Sequence, residues 1–113
     1  MDCLFCSIIS GEIPSTKVYE DDEILAFKDI NPLASVHVLI IPKKHISGIN
    51  EITSENAEIV AKIFTKIPEI TRILSVNESG YRVVSNCGKD GCQSVNHLHF
   101  HILGGEKLSE KMC

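Results

Sequence analysis

The sequence predicts an α+β fold: one domain, residues 1–113, built on an antiparallel sheet of about five strands with one long helix and a short N-terminal helix. Three observations predict it. Short runs rich in β-branched and aromatic residues stand at 17–20, 23–28, 36–42, 81–86 and 97–103. One stretch, ITSENAEIVAKIFTKI, carries a sustained helical period. The resulting order β-β-β-α-β-β, with no repeat or linker, requires hairpins and one crossover, with the helices on one side of the sheet.

At 113 residues, 43% hydrophobic and 23% charged, the chain can bury a core and is not disordered. Aromatic residues are 5% and Trp is absent, so the core falls to Ile, Val and Leu. The elements follow in order. DCLFCSIISGEIPS reads as a short helix with Leu4, Ile8 and Ile9 on its apolar stripe, closed by Gly11, and Pro14 prevents a restart. KVYE and EILAFK form a hairpin about Asp21-Asp22, and VHVLIIP is a strand ended by Pro42. Ser54 is the expected N-cap of the long helix, with Glu55 and Glu58 in its first turn. Ile59, Ile63, Ile67, Ile70 and Leu74 keep helical spacing, and Pro68 should kink or break the helix near Ile67. YRVVSN and HLHFHIL are the last two strands, joined by the loop NCGKDGCQS and closed by Gly104-Gly105.

Charge and cysteine content exclude several function classes. A net charge of −4 argues against a nucleic acid polymer held on a broad basic surface. A small anion would need local donors. No apolar run approaches the ~20 residues of a membrane span, and no basic-then-apolar signal pattern opens the chain. The expected location is cytoplasmic. Five cysteines, an odd number, then read as reduced thiols or metal ligands.

The chemistry concentrates in NHLHFHILGG. On a strand, Leu98, Phe100 and Ile102 share the core face, and His97, His99 and His101 share the other. Three readings are open: a solvated polar face, a three-His metal site, or a nucleophilic or general-base histidine oriented by its neighbours. The loop 86–94 upstream tips the balance. Its glycines allow backbone N–H groups to turn toward an anion, and Ser94 adds a hydroxyl. A neutral imidazole beside an anion-holding loop suits attack on phosphorus.

HLHFHIL fits the His-φ-His-φ-His-φ-φ pattern of the histidine-triad superfamily. FKDINP, VLIIPKKHIS, GYRVVSN and GKDGCQSVNHLHFHILGG resemble its nucleotide-binding hydrolase branch over nearly the whole chain. The resemblance implies a purine nucleoside phosphoramidase that forms a homodimer, two sheets joining into one larger sheet. Its substrates would be nucleoside monophosphates bonded to an amine, and aminoacyl adenylates. His99 would attack the α-phosphorus and His101 would help position the phosphate. Asn86 and Ser94 match positions that contact the phosphate and leaving group. Asp29 matches the acidic residue that holds the ribose hydroxyls, and Ile30 an apolar contact to the nucleoside. Two alternatives are a dinucleoside polyphosphate hydrolase, which usually lacks the serine of Gln93-Ser94-Val95, and a non-catalytic, zinc-stapled nucleotide-binding module.

Cys3 and Cys6 are three apart on a short helix, a spacing shared by zinc and redox sites. A thioredoxin-like site would follow a strand, and none precedes residue 3. His45 and His97 are the best further ligands, giving a closed Cys₂His₂ set. The resemblance implies the same structural zinc. Cys92 stands where the family usually has glycine. Cys87 and Cys92 are expected as free thiols, with a disulfide or second metal site as alternatives. His37 reads as a core-edge histidine with a hydrogen-bond partner, and Cys113 as a mobile end.

Overall fold

The computed structural model describes residues 3–111, so Cys113 lies outside the described residues. Helix α1 (Leu4–Ser10) is followed by β1 (Lys17–Glu20), β2 (Ile24–Lys28), β3 (Val36–Pro42), helix α2 (Glu58–Ile73), β4 (Tyr81–Val84) and β5 (Phe100–Gly104). A 3₁₀ turn at Ile49–Glu51 precedes α2. The strands form one antiparallel sheet in the order β1-β2-β3-β5-β4.

Register decides which residues share a face. Ile40 faces Phe100, Leu39 faces His101 and Val38 faces Ile102 across β3 and β5. Val38, Ile40, Leu98, Phe100 and Ile102 therefore pack with Ile63, Ile67 and Ile70 of α2. Each such isoleucine contributes about 2 kcal/mol by leaving water. The other face carries Leu25, Phe27, Leu39 and Ile41, and α1 covers it with Phe5 and Ile8. The helices therefore lie on opposite faces, not on one side, because β2 and β3 are apolar at consecutive positions and both faces need cover.

Several local expectations change. The buried face of α1 is Phe5 and Ile8, while Leu4 is 46% exposed. Gly11 ends α1 at φ 88, as expected. Ser54 does not cap α2. Residues 54–57 form turns in which Asn56 Oδ1 accepts the Thr53 amide (2.7 Å) and Thr53 Oγ1 accepts the Glu55 amide (3.2 Å), and the helix starts at Glu58. Pro68 does not end α2 either. It lies on the exposed side, and the helix runs on to Ile73. The last strand begins at Phe100, so His97, at the end of a bend, and Leu98 and His99 precede it outside the ladder.

Candidate functional site

The three histidines are held by three different partners, and each partner sets a proton. His97 is fully buried, and its Nε2–H donates to the carbonyl of Pro42 at 2.8 Å. Its Nδ1 lone pair is thereby directed at Cys3 Sγ (3.3 Å), Cys6 Sγ (3.6 Å) and His45 Nδ1 (3.2 Å). His99, 3% exposed, donates Nδ1–H to the carbonyl of His97 at 2.7 Å, which leaves Nε2 as a free base. The Phe5 ring stands edge-on to His99, centroids 5.1 Å apart, and the Ser85 hydroxyl donates to the His99 carbonyl at 2.8 Å. Ring and backbone are both fixed.

His101 is governed by His37. Because Leu39 faces His101, His37 is its diagonal neighbour on the same face. The Leu33 amide donates to His37 Nδ1 at 3.0 Å, so the His37 proton sits on Nε2. That atom is 2.9 Å from His101 Nδ1. His101 must then accept at Nδ1 and carry its own proton on Nε2. Asp29 Oδ2 lies 3.5 Å from His37 Nε2, and Asp29 Oδ1 accepts the Asn31 amide at 2.8 Å. Asp29, His37 and His101 cluster closely enough to suit a metal. The Leu33 amide argues against one: binding at Nε2 would strip His37 of both ring protons. Burial, then the neighbouring His99 and His37, push the His101 pKa down to about 4, against the pull of Asp29. Burial likewise lowers that of His37.

His99 and His101 open on a cavity of about 270 Å³ shared with Phe5, Ile8, Phe27, Asp29, Ile30 and Ser94. Ile30 is 89% exposed, at its rim. Asn86 is half-buried after β4 and does not line this cavity. Ser94 and Val95 also line a neighbouring cleft with Cys3, His45, Ser47 and Asn96. The loop before them is partly braced internally, so the amides of Gly88, Cys92 and Gln93 are not among those open to an anion. The Gly88 amide donates to Gln93 Oε1, and the amides of Cys92 and Gln93 donate to Lys89 and Gly88 carbonyls. Gln93 Nε2 ties the loop to the Ser47 carbonyl at 2.7 Å and the Val95 carbonyl at 3.0 Å. Cys87 and Cys92 are free thiols, and Cys92 sits at φ 60, a conformation glycine adopts without strain.

Cys3, Cys6, His45 and His97 bring one donor atom each within 4.8 Å of one another. The four contacts between their donors span 3.2–3.6 Å. A tetrahedron with Zn–N of about 2.0 Å and Zn–S of about 2.3 Å has edges of about 3.3–3.8 Å, so the donor set fits zinc in size and chemistry. The bond from His97 Nε2 to Pro42 is the kind of outer contact that fixes a ligating ring.

Sequence reasoning missed His37 as part of the triad's machinery, together with Phe5, Ser85 and the Gln93 brace. The signal for His37 was present: it occupies a position of β3 two residues from Leu39, on the face that β5 fills with histidine.

Alternate histidines leading into an inner strand of an antiparallel sheet, beside a Cys₂His₂ cluster, define a histidine-triad protein. The comparisons agree. Residues 10–108 match the family model described as HIT domain, and the chain belongs to this family. It is 39% identical over 112 residues to the purine nucleoside phosphoramidase of Escherichia coli (strain K12), covering 99% of this chain and 94% of that protein. It is 44% identical to a 14 kDa zinc-binding protein of Zea mays, covering 94% and 84%. A HIT family hydrolase from Clostridium thermocellum superposes with a TM-score of 0.96 at 47% identity, covering 99% and 97%. No helix among the described residues is long and apolar enough to cross a membrane.

Proposed function

We propose that this chain is a purine nucleoside phosphoramidase, a hydrolase that cleaves P–N bonds through a nucleotidyl-histidine intermediate. One observation carries the reading. The His97 carbonyl takes the Nδ1 proton of His99, so an unprotonated Nε2 stands in a cavity that also holds Asp29 and His101. The nucleoside would lie against Phe27 and Ile30 with Asp29 accepting from the ribose hydroxyls. His101 Nε2–H would donate to a phosphoryl oxygen. His99 Nε2 would form a bond to phosphorus as the P–N bond breaks, and the amine would leave with a proton drawn from solvent water and relayed by the Ser94 hydroxyl. Water then cleaves the phosphorus–histidine bond and returns a nucleoside monophosphate. Hydrolase and phosphoramidase relatives support this reading.

Zinc on Cys3, Cys6, His45 and His97 would be structural, because four protein ligands leave no position for water. It would fasten α1 to the chain just before His99. A homodimer is part of the same proposal: β4 is an edge strand whose outer side could pair with a second copy and extend the sheet.

The test is His99→Ala assayed on adenosine 5′-phosphoramidate. Turnover should fall by at least ~10³-fold while AMP binding stays within about threefold. Near wild-type turnover would remove His99 from its role. Faster turnover of diadenosine polyphosphates than of the phosphoramidate would favour the other hydrolase branch.

A further inference from the structure

Among the described residues, one buried side-chain polar atom has no hydrogen-bond partner: the hydroxyl oxygen of Ser15. Orphaned groups of this kind are rare in folded proteins and call for a cause. Ser15 lines the cavity that holds Asp29 and His99. The chain fixes its place, since the next residue, Thr16, accepts the Lys28 amide at 2.9 Å, directly before Asp29. Ile13, Pro14, Phe27 and Ile30 line the same cavity and supply much of its apolar wall. A flat apolar ring with a polar edge suits such a wall.

Resting on the nucleotide reading above, we propose that Ser15 recognises the polar edge of the bound purine. A turn about χ1 between staggered positions carries the oxygen from its shielded place toward the cavity. The turn breaks no hydrogen bond, because the oxygen has none to lose. A hydroxyl both donates and accepts, so it serves a 6-amino group and a 6-oxo group alike. It rewards a polar purine edge without choosing between adenine and guanine.

The experiment is a cycle of one protein deletion against one ligand deletion. AMP, GMP and purine riboside 5′-monophosphate, which has only hydrogen at C6, are titrated calorimetrically into wild type and Ser15→Ala. Wild type should bind AMP and GMP about tenfold more tightly than the riboside, and Ser15→Ala should abolish that preference while leaving riboside affinity unchanged. The ligand-free variant should melt no lower than wild type, which shows that it folds. A preference retained in Ser15→Ala, an equal loss for all three ligands, or a wild type that does not discriminate would overturn the role of Ser15. Wild-type protein that binds none of the three overturns the nucleotide reading and this inference with it.

Discussion

Three imidazoles alternate along one segment, yet His99 holds its proton on the opposite nitrogen from His97 and His101, and the cause is local in every case. His97 donates from Nε2 and points Nδ1 at thiols; His99 does the reverse; His101 follows the tautomer that Leu33 imposes on His37. His37→Phe should lower kcat by about 10–100-fold with little change in KM, the usual scale for loss of an orienting partner. His37→Gln, whose amide can donate from nearly the same place, should recover part of that loss. Equal damage from both variants, with KM rising in step, would make His37 a packing residue only. The pKa shifts set a direction for stability. His101 is lowered from 6.5 to about 4, and His37 is lowered from the same starting value. Below 6.5 the unfolded chain takes up protons that folded His101 refuses until about pH 4. Stability from these groups is therefore complete above pH 6.5 and declines as pH falls toward 4. Urea midpoints measured from neutral pH downward should show the decline, and a His37→Gln/His101→Gln variant should flatten it.

At the scale of elements, α2 and the loop before Ser94 each carry a residue that opposes its backbone. Pro68 sits inside a continuous helix with its ring exposed. Pro68→Ala restores one backbone hydrogen bond and should stabilise the protein by about 1–3 kcal/mol in chemical denaturation; an unchanged midpoint would mean the helix already adapts to the ring. Cys92 holds φ 60, so Cys92→Gly should add about 1 kcal/mol and leave turnover intact. The strands were legible in sequence because their runs are short, β-branched and bounded by turn residues. The Ser54 cap and a helix break at Pro68 were expected from single-residue rules, and tertiary packing prevails over both. Ser54 looks like a cap, but Thr53 and Asn56 close the turn first. Pro68 looks like a breaker, but Ile67 and Ile70 are anchored on the sheet on both sides of it. The end of α2 offered no glycine either. Ser75 takes the left-handed position at φ 60, and the Val76 amide reaches back to the Thr71 carbonyl at 3.0 Å.

For the whole molecule, the sheet is a partition. Its α2 face is a continuous aliphatic core, and its α1 face carries the chemistry beside a smaller apolar cluster. The cover on the second side is thin, since α1 has seven residues and buries only Phe5 and Ile8, and the proposed zinc would fasten it. Purified protein should hold about one equivalent of zinc per chain. Cys6→Ser should reduce that below about half and destabilise the fold by at least ~2 kcal/mol. Unchanged metal content would remove Cys6 from the ligand set. The convergence of Cys3, Cys6, His45 and His97 was legible because a Cys-x-x-Cys spacing and two histidines can be paired without coordinates, whereas the roles given to His99 and Asp29 came from the family resemblance. His37, Phe5 and Ser85 were not legible, because their roles depend on strand register and on which helix covers which face.

The central claim is that His99 Nε2 forms a covalent bond to phosphorus. Its most direct test is acid-free quenching of the enzyme during turnover of adenosine 5′-phosphoramidate, followed by peptide mass spectrometry. The account predicts an adenylyl group on the peptide containing residues 97–101, localised by fragmentation to His99 and missing in His99→Ala. An adduct on His101 or Ser94, or full turnover with no adduct under conditions that preserve phosphohistidine, would contradict it.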